Sequence, residues 1–321
     1  MKEDVSHDIS VSVVICCSRY ERLDWLVEAV DSVKKQSKQP KEIIVVFDKT
    51  EGLEDALRRL LSPAVLLIPN KSAHGLSLAR NTGIEAATGD IIAFLDDDAV
   101  AELDWLEHLV GPFSDPWVVG VGGKAVPDWL SHHRPFWFPE EIDWVVSCMY
   151  SGYQNDKSMV RNVFGCNMSF KKSDLTEING FDSRLGGPIS GDDTDICLRI
   201  TQGNERRHII YEPSAIIHHK ISLERQSLRY VTYSAWKQGV GKAVTKAIHK
   251  RDARVLSSEK NYLRLLVLKF IPKQMSQVFK HPYRACGNMV TVGVVMTSIG
   301  LGYVLTRLKI NRVRRYGNAR I

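Results

Sequence analysis

Asp90-Ile91-Ile92-Ala93-Phe94-Leu95-Asp96-Asp97-Asp98-Ala99 is an apolar run that ends in three adjacent carboxylates. Ile91 through Leu95 has no polar side chain, as expected of a parallel strand covered on both faces. The acids at its carboxyl end repel one another unless solvated or bridged by a cation. Oxygen-rich clusters of this kind suit Mg²⁺ or Mn²⁺, and Mg²⁺ commonly binds through one or two carboxylates plus substrate phosphates. The stretch points to a metal-bound phosphorylated substrate, against the alternative of a polar turn after a strand.

Upstream, Val11-Ser12-Val13-Val14-Ile15 reads as a first strand whose carboxyl end carries Ser18-Arg19-Tyr20-Glu21-Arg22. Leu23, Leu26, Val27, Val30 and Val33 then recur at helical spacing. Glu42 to Phe47 is a second strand ending at Asp48, and Val65 to Ile68 a third. A helix from about Leu76 to Ala87 carries Arg80-Asn81 and stops at Thr88-Gly89, just before the acidic strand. Strands alternating with helices predict a doubly wound α/β sheet, which binds ligands outside the carboxyl ends of its strands. Ser18, Asp48 and Asp96–Asp98 all fall at such ends. No Gly-x-Gly-x-x-Gly follows the first strand, so neither a dinucleotide site nor the Gly-rich loop of nucleotidyl transfer is supported.

Downstream, Val118 to Val126 is Gly-rich and strand-like, and Trp129 to Trp144 is crowded with aromatics, His132 and His133, as for a loop over the cleft. Gly165 to Phe170 is a short strand, followed by a helix from about Ser173 to Ile178. Asp192-Asp193-Thr194-Asp195 opens an amphipathic helix, a place where the macrodipole alone favours acids. Ile209 to Pro213 and Ala215 to Ile217 read as two strand pieces leading to His218-His219, whose side chains on a strand point to opposite faces.

In this order the pieces closely resemble the family 2 glycosyltransferases, enzymes of the GT-A fold. The resemblance covers about residues 10 to 220. It rests on Ser18-Arg19, Asp48, Ala79-Arg80-Asn81-Thr82-Gly83, Phe94-Leu95-Asp96-Asp97-Asp98, Gly165-Cys166-Asn167-Met168, Gly180-Phe181-Asp182 and Asp192-Asp193-Thr194-Asp195. It implies a Rossmann-like, mainly parallel sheet with helices on both faces. It also implies inverting transfer of a sugar from a nucleoside diphosphate donor, preferentially UDP, to an acceptor hydroxyl. By the same resemblance Asp48 meets the nucleobase, Ser18, Arg19, Arg80, Asp96 and Asp97 serve the nucleotide sugar, and Asp98 ligates Mn²⁺ or Mg²⁺ with Asp96 and His219. Asp193 matches the catalytic base, with Asp192 beside it where Glu is commoner.

The charge is divided along the chain. Residues 1–219 hold 22 Lys+Arg against 34 Asp+Glu, a net of −12, and residues 220–321 hold 21 against 3, a net of +18. We divide the sequence into a GT-A catalytic domain over 1–225 and a basic helical region over 226–321. The latter includes the uncharged stretch GNMVTVGVVMTSIGLGYVLT at 287–306. That length suffices for a membrane span, but Gly293, Gly300 and Gly302 weaken it, and a helix pair turning near Ser298-Ile299-Gly300 is the alternative. Basic residues flank both ends, which opposes a single crossing under the positive-inside tendency. The expectation is a monotopic or re-entrant attachment to an anionic membrane surface at the cytoplasmic face, bringing a polyprenyl- or dolichyl-phosphate-linked glycan to the cleft. Cys16, Cys17, Cys148, Cys166, Cys197 and Cys286 lack metal-ligand spacing, and the polar opening through Ser10 is not a secretory signal; both fit the cytoplasm. A different class, a non-catalytic nucleotide-sugar or nucleic-acid binding protein, draws only on the basic third, where no nucleic-acid module is recognised.

Overall fold

A computed structural model of the chain describes residues 9–316, apart from 72, 73 and 188. In chain order it contains β1 (Val11–Cys17), α1 (Leu23–Lys34), β2 (Glu42–Phe47), α2 (Leu53–Leu60), β3 (Val65–Pro69), α3 (Leu76–Ala86), β4 (Ile91–Asp96), β5 (Ala99–Ala101), α4 (Trp105–Val110) and β6 (Val118–Trp129). There follow β7 (Ser158–Val160), β8 (Asn167–Lys171), α5 (Lys172–Glu177), α6 (Asp192–Ile200), β9 (His208–Ile221), α7 (Leu228–Ile248), α8 (Ser257–Leu265), α9 (Ile271–Gln277) and α10 (Pro282–Tyr316).

The strands form one sheet in the order β3-β2-β1-β4-β8-β6-β9-β5, with β7 pairing β9 off this path. β3, β2, β1 and β4 are parallel, and β2, β1 and β4 are covered on both faces. Val13, Ile15, Ala93 and Leu95 pack with α1, α2 and α4 on one side, while Val14, Ile92 and Phe94 pack with α3, α5 and α6 on the other. This double burial is why β4 has no polar alternation. Beyond β4 the sheet is mixed: β8 is antiparallel to both β4 and β6, whereas β6 and β9 run parallel.

The two pieces read around Pro213 are one strand. The β6 register jumps from Gly123↔Glu212 to Lys124↔Ile216, so Pro213, which has no N–H to give a ladder, sits in a bulge. Of the aromatic segment expected as a loop over the cleft, only Trp144 lines it; the segment packs mainly inward. Phe138, Ile142 and Val145 join Val231, Leu266, Phe270, Val292 and Val295 in a separate core beneath the C-terminal helices.

α7 and α10 nearly touch at backbone level. A Cβ on Gly239 would stand 2.1 Å from the Ile299 carbonyl oxygen, and one on Gly302 2.4 Å from that of Trp236. α10 runs unbroken, so the helix pair turning near Ser298–Gly300 does not form. Gly302 is a packing residue, while Gly293 and Gly300 face open space. Pro272 falls in the first turn of α9, where a missing N–H is tolerated. A π-helical turn over Leu266–Phe270 joins α8 to α9.

Candidate active site

The acidic stretch lies where the chain leaves β4 and enters β5. Short as it is, β5 pairs with β9 so that Ala99 is opposite His219, and the Lys220 N–H donates to the Asp98 carbonyl at 2.8 Å. This pairing brings His219 to the acids from more than 120 residues away in sequence. Its Nε2 is 3.1 Å from Asp98 Oδ1 and 4.0 Å from Asp96 Oδ2. His218 points away and pairs with Glu102 at 3.0 Å.

Asp96, Asp98 and His219 each offer a ligand atom within 4.8 Å of the other two. Asp98 Oδ1 is buried and, despite the nearby imidazole, accepts no well-aligned hydrogen bond. Two carboxylates, an imidazole and an orphaned oxygen fit a hard or borderline divalent cation. The surroundings are strongly cationic as well. Arg22 Nη1 is 2.9 Å from Asp97 and 3.0 Å from Asp98, and Arg225 Nη1 is 3.1 Å from Asp98. Burial works against the Asp98 charge, but His219, Arg225 and Arg22 hold its carboxyl well below the usual range. Asp97 is pushed up to about 7, by burial first and then by Asp98.

Ser18, Arg19, Asp96 and Asp97 line a cleft of about 840 Å³ that also receives Asp192 and Asp193. Asp48 lies behind it, buried, with one carboxylate oxygen accepting from Asn70 Nδ2 at 2.8 Å and the other 2.9 Å from His74 Nδ1. Arg80 is 3% exposed and acts as a strut across the cleft floor. It donates to Asp192 at 2.6 Å and to the Gly165 carbonyl at 2.8 Å, lies 3.5 Å from Asp96, and stacks over Phe181 at 5.4 Å. Burial opposes the guanidinium charge; Asp192 and Asp96 secure it.

Asp193 sits in the first turn of α6. Its Oδ1 accepts from the Thr194 N–H at 2.6 Å, and among the described residues no hydrogen bond engages Oδ2. Burial, and after it the neighbouring Asp192 charge, push its carboxyl up to about 6. Gly191, at φ 107°, caps the helix in a conformation that glycine adopts without strain, and a Cβ there would press on Thr245 of α7 at 3.0 Å. From the same turn Asp195, fully buried, pairs with Arg199 at 2.7 Å and with His249, just past α7, at 2.8 Å. The helix carrying Asp193 is thus fastened to the basic region.

The sequence offered no sign of several residues in the site. Arg22 is one of two arginines after β1, and the arginine one turn later, rather than Arg19, meets the acids. Arg225 stands six residues after His219 in a connecting segment, its Nε donating to the Tyr230 hydroxyl at 3.0 Å. Arg161, Lys237, Lys242 and Glu259 complete the far wall. Glu259 accepts from Lys242 at 2.5 Å and from Arg161 at 2.8 Å.

Comparison with known proteins places this geometry. The profile of Glycosyl transferase family 2 matches residues 12–178. A "Glucosyl-dolichyl phosphate glucuronosyltransferase" of Haloferax volcanii is 32% identical over 319 residues, covering 97% of this chain and all of that protein. Among solved structures, a mannosyltransferase of Pyrobaculum calidifontis in complex with GDP-Man and Mn²⁺ superposes with a TM-score of 0.59 at 18% identity, over 93% of this chain and 88% of the other. GalNAc-T7 with UDP, GalNAc and Mn²⁺ gives 0.53 at 18% identity, over 80% of this chain and 54% of the other. The sheet that carries acids at its strand ends is therefore the GT-A fold. The chain belongs to the family 2 glycosyltransferases.

Proposed function

We propose that the protein transfers a sugar from a nucleoside diphosphate donor, with inversion, to a hydroxyl of a glycan carried on a polyprenyl or dolichyl phosphate. The observation that carries this reading is the shared cleft, in which Arg80 ties the acidic strand end at Asp96 to Asp192, beside Asp193. Asp48 recognises the base, taken as uracil, while Ser18, Arg19, Asp96 and Asp97 hold the ribose and diphosphate. Asp98, Asp96 and His219 hold Mn²⁺ or Mg²⁺, which when bound neutralises charge on the leaving diphosphate. Asp193 Oδ2 takes the acceptor hydroxyl proton as the new bond forms between that oxygen and the anomeric carbon. The bond from the anomeric carbon to the diphosphate breaks in the same step, its electron pair leaving with the nucleotide. Arg22 and Arg225 stabilise the charge that develops there. Approach opposite the leaving group inverts the anomeric centre.

The acceptor class is supported by the haloarchaeal relative's name and by an apolar surface continuous with the cleft wall. Val267, Leu268, Met275, Phe279 and Tyr283 are exposed on the α8–α10 side, as are Leu301, Leu305 and Leu308 along α10. The segment Pro282–Arg312 is long and apolar enough to cross a bilayer, with 28% of its most apolar window buried against protein. We place it as a monotopic anchor at the cytoplasmic face, where the basic region meets anionic headgroups. The test is a screen of UDP- and GDP-sugars with Mn²⁺ and Mg²⁺, scoring transfer to a polyprenyl-phosphate-linked glucose. A UDP-sugar should give metal-dependent product of inverted configuration. Absence of transfer from every donor, or retention of configuration, overturns the proposal.

A further inference from the structure

The cleft does not end at Asp193. It continues past the base along α7, where Tyr233, Ser234, Lys237 and Gln238 line it, and reaches α10 at Met296, Ile299, Tyr303 and Val304. One cavity therefore runs from the donor acids to the helix that carries the apolar surface, and its wall changes from charged to apolar on the way.

The cations along it are unequal. Arg22 and Arg80 are ion-paired at the acidic strand end, and Arg161 and Lys242 are both engaged by Glu259. Among the described residues, Arg19 and Lys237 line the cleft without a carboxylate at ion-pair distance. Arg19 follows β1 beside the acidic strand end, and Lys237 stands on α7, half-buried, its ammonium 6.0 Å from the Tyr233 ring centroid. Burial depresses the Lys237 pKa, while the Asp192 charge works to keep it protonated. Leaving a half-buried ammonium without an anion costs stability that a structural role would not explain. An anion arriving with a ligand removes that cost.

Resting on the acceptor class proposed above, we infer that Lys237 is the counter-ion of the acceptor's lipid phosphate. The glycan reaches from there toward Asp193, and the prenyl chain leaves along Met296, Ile299, Tyr303 and Val304 of α10. Lys237 thus sets specificity: it selects acceptors that present a phosphate one sugar or so from the attacked hydroxyl.

The experiment compares kcat/KM of the full-length protein in detergent for glucosyl farnesyl phosphate and for farnesyl glucoside, its phosphate-free counterpart. Wild type should prefer the phosphorylated acceptor. Lys237→Met should cut that preference by about 30-fold, mainly through KM, as expected for a lost charge-assisted contact. Lys237→Arg should restore most of it. Donor binding, followed by nucleotide titration, reports that each variant is folded. A Lys237→Met protein that binds nucleotide and keeps the full preference overturns the inference while leaving the proposed function standing. A wild type that transfers to both acceptors equally well does the same. A wild type that transfers to neither overturns the proposed function and the inference with it.

Discussion

Asp193 and Asp192 are neighbours in one helical turn, yet their surroundings divide them. Asp192 is held by Arg80 at 2.6 Å, whereas Asp193 has one oxygen turned to a backbone N–H and is raised to about 6. If Asp193 is the base, kcat should fall about tenfold per pH unit below 6 and level off above it, measured with saturating donor and acceptor. Asp193→Asn should lower transfer by about a thousandfold while sparing nucleotide binding. The same group carries a stability cost of defined sign. A carboxyl whose folded pKa lies above its unfolded value favours folding less as pH rises from about 4 through about 6. Asp193→Asn should therefore be more stable than wild type at pH 7, by about 1–2 kcal/mol, and equal to it below about pH 4. Denaturant midpoints across that range decide the matter. Arg80 has the opposite sign: Arg80→Met leaves Asp192 and Asp96 facing each other without it, and should cost about 3 kcal/mol or more.

At the level of elements, contact between α7 and α10 depends on missing side chains. Gly239→Val would drive a Cβ into the Ile299 carbonyl and should destabilise the protein by about 1–3 kcal/mol, whereas Gly300→Ala, facing open space, should be neutral or slightly stabilising. Thermal midpoints of the two variants check the difference. The contrast also marks how far the sequence could be read. The strands from β1 to β4 were legible because each is a mostly apolar run between turn residues, and the acids at their ends stood out by composition. Nothing local announced β5, three residues long, although its pairing with β9 is what carries His219 to Asp98. Arg225 was equally silent, since its partners lie 127 residues upstream at Asp98 and five downstream at Tyr230. The glycines in the apolar stretch argued against a span by composition; only the register of two helices separates Gly302, which packs, from Gly293 and Gly300, which do not.

For the molecule as a whole, the acidic first two thirds and the basic last third meet along a single cleft. The apolar surface of the basic part should govern membrane attachment more than its charge does. Burying a Phe side chain is worth about 1.5–3 kcal/mol, so Phe279→Glu should weaken vesicle binding by tenfold or more, and the loss should persist at high salt where lysine–headgroup attraction is screened. Co-sedimentation with anionic and neutral vesicles at two ionic strengths distinguishes the contributions. The His249–Asp195 pair has a practical corollary for anyone trimming the protein. A truncation after residue 225 retains every carboxylate of the proposed donor site, but it strips His249 from a fully buried Asp195 and removes Gly241 and Thr245 from the turn that presents Asp193. The unit that can be excised with the proposed site intact therefore extends past α7, to include His249. A shorter soluble fragment should bind nucleotide and fail to turn over.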